Sequence, residues 1–183
     1  MRNIVLRFGF MAGVPLVTLM AIMVPLCMKG TMDFDNSEIV GYSAMVLSFL
    51  LVFFGVRSYR DTVAGGAISF GKALGVGLLI TLVACAIYVI AWQIIYFNFL
   101  PDFLDKYSAH VLERMREDGE SLAAIEKTTE QMATMAKLYQ NPLFNAAITF
   151  MEVFPVGLIL SLVSAAILRR KPPQEAPAEA VPA

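Results

Sequence analysis

Four stretches of this chain run for eighteen residues or more with at most one charge in each: Phe8–Met28, Ile39–Val56, Ala73–Leu100 and Leu143–Leu168. An uncharged run of that length is too long for an ordinary core helix. It matches the roughly 30 Å hydrocarbon thickness of a bilayer, at about 1.5 Å of helix per residue. Composition agrees, with 58% of the residues hydrophobic and 16% charged, against about 25% charged in a soluble domain. The expected class is therefore all-α, a polytopic membrane protein with four transmembrane helices. The basic start, Arg2 and Arg7 before an apolar run, also resembles a signal peptide. The length of the run and the lack of a small-residue cleavage pattern favour a retained first helix, bent near Pro15.

Between the third and fourth runs, residues 101–141 become soluble in character. Leu104, Tyr107, Val111, Leu112 and Met115 recur at helical spacing. A second set, Leu122, Ile125, Met132, Met135 and Tyr139, follows Asp118-Gly119. Ser121 suits the N-cap of that second helix, and Asn141-Pro142 suits the start of the last span. The expectation is a helical hairpin whose apolar stripes are covered by the bundle, by a second copy or by a membrane-protein partner. Residues 1–171 form one four-helix membrane domain. The Pro/Ala/Glu-rich tail, 172–183, has no hydrophobic pattern and is expected to be a disordered cytoplasmic segment.

Charge sets the expected orientation. With the N-terminus inside, the cytoplasmic pieces hold eight basic residues against three acids, and the outer pieces six against eleven. The bias of Lys and Arg toward the cytoplasm then puts both termini in the cytoplasm and the hairpin outside, in a bacterial inner membrane. The third run ends in Tyr88, Trp92, Tyr96, Phe97 and Phe99, as at a headgroup interface.

A polar turn is expected to begin at Arg57 and carry Arg60, Asp61 and Lys72, with a break at Gly65-Gly66. Arginines there suit a lipid phosphate or a docking partner, although anchoring the topology explains them more simply. The stretch FFGVRSYRD, then ISFGKALGVG, the aromatic end IYVIAWQIIYF and the later EVFPVGL carry a resemblance. Together they resemble a bacterial family of small four-helix membrane proteins known as domain of unknown function 4199, over about residues 1–171. The resemblance implies four spans with a longer soluble segment before the last. It implies no activity.

Glu152 is the one charge inside a span. Asn145 and Thr149 precede it by seven and three residues, so the three share a helix face that is expected to point into the bundle. Intramembrane carboxyls are costly and are functional candidates by default. With Tyr88 or Trp92 as a neighbour at similar depth, Glu152 is read either as a proton-titrating or cation-binding site or as an interhelical hydrogen bond.

Other signals are weak. Small residues four apart (Gly9/Gly13, Gly71/Gly75, Gly157/Ser161/Ala165) point to close helix packing. Cys27 and Cys85 read as small buried hydrophobes, and His110, the only histidine, reads as a surface residue. No catalytic triad, phosphate loop or zinc signature occurs. The chain is thus expected to be no enzyme, to need no cofactor or metal and to bind no nucleic acid. Its expected role is a structural or interaction module, with a small transporter or proton-coupled component centred on Glu152 as the alternative.

Overall fold

In the computed structural model, residues 1–30, 34–100 and 102–170 are described. These described residues form six helices in sequence: α1 (Arg2–Met28), α2 (Phe34–Thr62), α3 (Phe70–Phe99), α4 (Phe103–Glu117), α5 (Leu122–Tyr139) and α6 (Pro142–Leu168). Four of them, α1, α2 from Ile39, α3 and α6, are long and apolar enough to cross a membrane. Large apolar side chains such as Ile22, Leu47, Ile90 and Ile167 stay more than half exposed on their outer faces. A soluble monomer does not tolerate that much apolar surface, whereas lipid solvates it.

The helices close a ring in the order α1, α2, α6, α3, and α2 also meets α3 across the middle. Lipid is as apolar as leucine, so burial alone does not hold such helices together. Close backbone approach and polar contacts do. The tightest crossing is α3 on α6. A Cβ on Gly157 would run into the Thr81 methyl and the Phe49 ring, and one on Gly77 would sit 3.1 Å from Ser161. Thr81 and Ser161 pair their hydroxyls at 3.1 Å, and Ser161 donates to the Gly157 carbonyl at 2.8 Å. On α1, Gly9 and Gly13 fit against Val83 and Ile87 of α3 in the same way. Among the described residues, a Cβ on Gly71 or Gly75 would meet nothing within 4 Å.

The helix ends follow their local chemistry. Ser121 accepts from the Ala124 amide, and Asn141 accepts from Leu143 and Phe144 with Pro142 in the first turn. Pro15 and Pro25 lie within α1, which continues through both. α2 differs from expectation: it runs on to Thr62, so Arg57, Arg60 and Asp61 occupy its last turns and not a loop. Arg and Asp sustain a helix, and the break comes only at Gly65 and Gly66, both at positive φ (64° and 87°). The Gly66 amide donates back to the Arg60 carbonyl at 2.9 Å and closes the helix end. Two backbone hydrogen bonds then join Ile68 to Arg170, fixing this turn to the end of α6. At its other end α2 starts at Phe34, before the uncharged run that begins at Ile39. The tail from residue 171 lies outside the described residues.

The α4–α5 hairpin rests on the opposite end of the bundle. Lys106 Nζ donates to the last carbonyl of α1, at Met28, across 3.0 Å. Phe103 and Leu104 pack on the cluster of Met20, Trp92, Tyr96 and Leu100.

Candidate functional site

The polar stripe of α6 begins at the hairpin end. Asn145 is fully buried and Thr149 nearly so. Gln93 of α3 donates its amide to Asn145 Oδ1 at 2.8 Å and to the Pro142 carbonyl at 3.1 Å. Asn145 in turn donates to the Tyr139 carbonyl at 3.4 Å, and Thr149 donates to the Asn145 carbonyl at 2.9 Å. A buried amide costs free energy unless its donors and acceptor are met. Here the partner is supplied from across the α3–α6 seam. Gln93 was missed in the sequence, although an amide at the apolar end of a span is a signal of the same kind as Asn145.

Trp92 is buried against Phe103 and Tyr96. Its indole N–H donates to Tyr139 Oη at 3.1 Å, so it is not the partner expected for Glu152. The residue is near the expected depth, but its ring turns toward the hairpin, where an aromatic cluster accommodates it.

Glu152 departs from expectation as well. It shares the stripe of Asn145 and Thr149, yet it is exposed where they are buried. The difference lies in what faces it. At its level lies a half-open cavity of about 160 Å³ walled by all four long helices. Leu16 to Cys27 of α1 form one side and Gly41 to Met45 of α2 the other, with Tyr88 of α3 and Glu152 of α6 completing the wall and Phe103 of α4 at the rim. One turn deeper on α1, α2 and α3, Ala12, Phe49 and Ala84 are fully buried and close the floor. The cavity therefore occupies the hairpin half of the bundle.

The polar groups on this wall are the Glu152 carboxyl and the phenols of Tyr42 and Tyr88. All three are near enough for Tyr88 to feel both of the others electrostatically. A carboxyl among phenols in an otherwise apolar wall is suited to hold a proton or a small cation. Phenols can pass a hydrogen bond to the carboxylate or present their faces to positive charge. Among the described residues, no group of three or more His, Cys, Asp or Glu is placed to hold a metal ion.

At the other end, Asp61 takes a hydrogen bond from Arg60 Nε at 2.7 Å and faces Arg57 at 3.7 Å. Arg170, brought in by the bridge to Ile68, also acts on this carboxylate. Of Arg60 only 11% of the side chain is exposed, against 44% of Asp61. The guanidinium stem is laid along the bundle and its head is held by the acid.

With the geometry in view, the match to known families is informative. The family described as protein of unknown function (DUF4199) matches residues 7–170. The chain belongs to this family. In this DUF4199 protein the match covers every spanning helix and the hairpin, so the Glu152 cavity and the α3–α6 seam both lie within the family's own extent. No curated protein and no solved structure matches the chain.

Proposed function

We propose that this DUF4199 protein is a multi-pass protein of the bacterial inner membrane that binds a small cation in its outer cavity, with Glu152 as the charge-bearing group. Both termini face the cytoplasm, and the role is binding or transfer of the ion, not catalysis. The observation that carries the proposal is the position of Glu152 on the wall of a space shared by all four spans, beside Tyr88. Four helices are few for alternating access, so transport would need more than one copy. A reporter at either terminus and one in the hairpin tests the orientation.

The test of the site uses the full chain in nanodiscs, titrated with sodium, potassium, tetramethylammonium and silver ions while thermal stability is followed. At least one is expected to bind, and Glu152→Gln is expected to weaken it about tenfold or more, equivalent to about 1.4 kcal/mol. Binding that is absent throughout, or identical in the Gln variant, ends the proposal.

One observation favours a second role as an interaction module. Among the described residues, none of α4 or α5 is buried, and Met135, Leu138 and Leu122 stand exposed. Tyr107, Met132 and Met135 line a groove between the two helices, and methionine suits adaptable partner surfaces. A second copy is the simplest occupant. Met135→Glu with Leu138→Glu is then expected to shift a purified oligomer to monomer, and a wild type that is monomeric throughout counts against it.

A further inference from the structure

The wall of the Glu152 cavity holds more sulfur than its size predicts. The chain has 11 methionines and two cysteines in 183 residues, so a lining of twelve drawn at random would hold about one. This one holds four: Met20, Met23 and Cys27 from α1, and Met45 from α2. All four are buried side chains, none more than 8% exposed. Their placement follows from helix geometry. Met20, Met23 and Cys27 stand at i, i+3 and i+7, within about 60° of one another around the helix, and Met23 and Cys27 are about 6 Å apart along it. Met45 comes from the neighbouring helix and meets the same space.

A methionine-rich wall with no ion to bind would serve as flexible packing, filling an irregular interior with adaptable side chains. Here the sulfurs border unfilled space, with a carboxyl opposite. Thioethers and a thiol are soft donors. They take Cu(I), and its surrogate Ag(I), in preference to the harder divalent ions that His and carboxylate clusters hold. Thioethers also carry no charge, so they can ligate a monovalent ion within the membrane without stranding a second buried charge.

We propose that the cavity binds a soft monovalent metal cation, Cu(I) or Ag(I), through Met23, Cys27 and Met45, with Met20 one turn deeper as a further donor. This rests on the cavity being a cation site and names the class of ion. Binding transfers no electrons. Where the Cys27 thiol ligates, it forms a metal–sulfur bond and its proton leaves to the buffer. That thiolate neutralises the ion by itself and leaves Glu152, across the cavity, protonated; where the thioethers alone ligate, the Glu152 carboxylate offsets the charge.

The experiment uses the full chain in detergent, in a Cys85→Ser background so that Cys27 is the one thiol, without added thiols. Silver is titrated and followed by native mass spectrometry and X-ray absorption. One silver per chain with more than one sulfur neighbour is expected. Met→Leu at 20, 23 and 45 together nearly conserves volume and is expected to keep the fold, which thermal melting checks. It is expected to weaken silver about tenfold or more, about 1.4 kcal/mol, while Cys27 remains. Silver held equally well by the triple-Leu variant is a lone-thiol contact and overturns the proposal. So does a wild type with one sulfur neighbour or no bound silver. If silver fails but another cation binds in a Glu152-dependent way, the soft-metal proposal falls and the cation site stands. If silver depends on the methionines but not on Glu152, the sulfur site stands and the role given to Glu152 falls.

Discussion

Trp92 gives its indole N–H to the phenol oxygen of Tyr139 across 3.1 Å. One residue belongs to a span and the other is the last of the hairpin, so this hydrogen bond fastens the soluble segment to the bundle. Tyr139 also bonds the Thr149 hydroxyl, and its ring meets Tyr96 edge-on at 5.2 Å. Phe103, Leu104 and Lys106 add further contacts between hairpin and spans.

Trp92→Phe keeps the aromatic packing and removes the donor. It is expected to cost about 1 kcal/mol, the net worth of one such bond. Because the loss falls on a junction, limited proteolysis within α4–α5 should quicken well before the spans unfold. Equal cleavage of wild type and variant would show that the hairpin is held elsewhere.

The same phenol makes a pH prediction. Burial raises the Tyr139 pKa above its ordinary value of 10.0, with the hydrogen bond from Trp92 and the contact with Thr149 opposing in part. The protonated form is thus favoured in the folded chain. Below pH 10 the residue contributes no pH dependence, since it is neutral folded or unfolded. As pH rises through the ordinary value toward the raised one, the unfolded chain ionises first and stability falls. An ultraviolet titration near 295 nm should show a late phase that holds one phenol fewer in Tyr139→Phe. A tyrosine count unchanged in that late phase would exclude the assignment.

Gly157 and Gly75 predict opposite results for a similar change. Gly157→Val drives a side chain into Thr81 and Phe49 and is expected to cost about 1–3 kcal/mol or more, as overpacking does. Gly75→Ala meets nothing within 4 Å and should leave melting in detergent unchanged or slightly raised, since alanine favours helix over glycine. Melting curves of the two variants decide it.

Removing the Asn145 side chain takes the shorter of two acceptors from the half-buried Gln93 amide, which keeps the Pro142 carbonyl, and ends the contact of α6 with the Tyr139 carbonyl. Asn145→Ala is expected to destabilise by about 1–3 kcal/mol. The double change with Gln93→Leu should cost less than the two single changes added together, because both ends of one hydrogen bond are removed. A double variant less stable than the single one by the full cost of a second defect would argue that the two amides act independently.

The four spans were legible because uncharged length leaves few alternatives, and the caps at Ser121 and Asn141 because those side chains have one common use at a helix start. The end of α2 was misread. Arg57, Arg60 and Asp61 look like loop residues beside an apolar run, but charge alone does not stop a helix and the chain turns only at Gly65. Glu152 could be placed on its stripe by counting residues. Whether that stripe met protein or empty space depends on side chains from three other helices, which no local pattern encodes. Trp92 and Tyr88 are one turn apart on α3, and only the packing of the hairpin turned one away from the cavity. Cys27 gave no signal for the same reason, since half of its sulfur neighbourhood comes from a different turn and a different helix.

The hydroxyl of Thr81 and the amide of Gln93 both find their partners on α6, at Ser161 and Asn145. That has a bearing on biogenesis. As the chain leaves the insertion machinery, α1 to α3 enter the bilayer first, carrying two polar groups that nothing yet satisfies. The forty or so residues from 101 to 141 must be made before α6 arrives to meet them. A chain arrested in that interval exposes a hydroxyl and an amide to lipid, the kind of mark by which membrane quality control can tell an unfinished protein from a finished one.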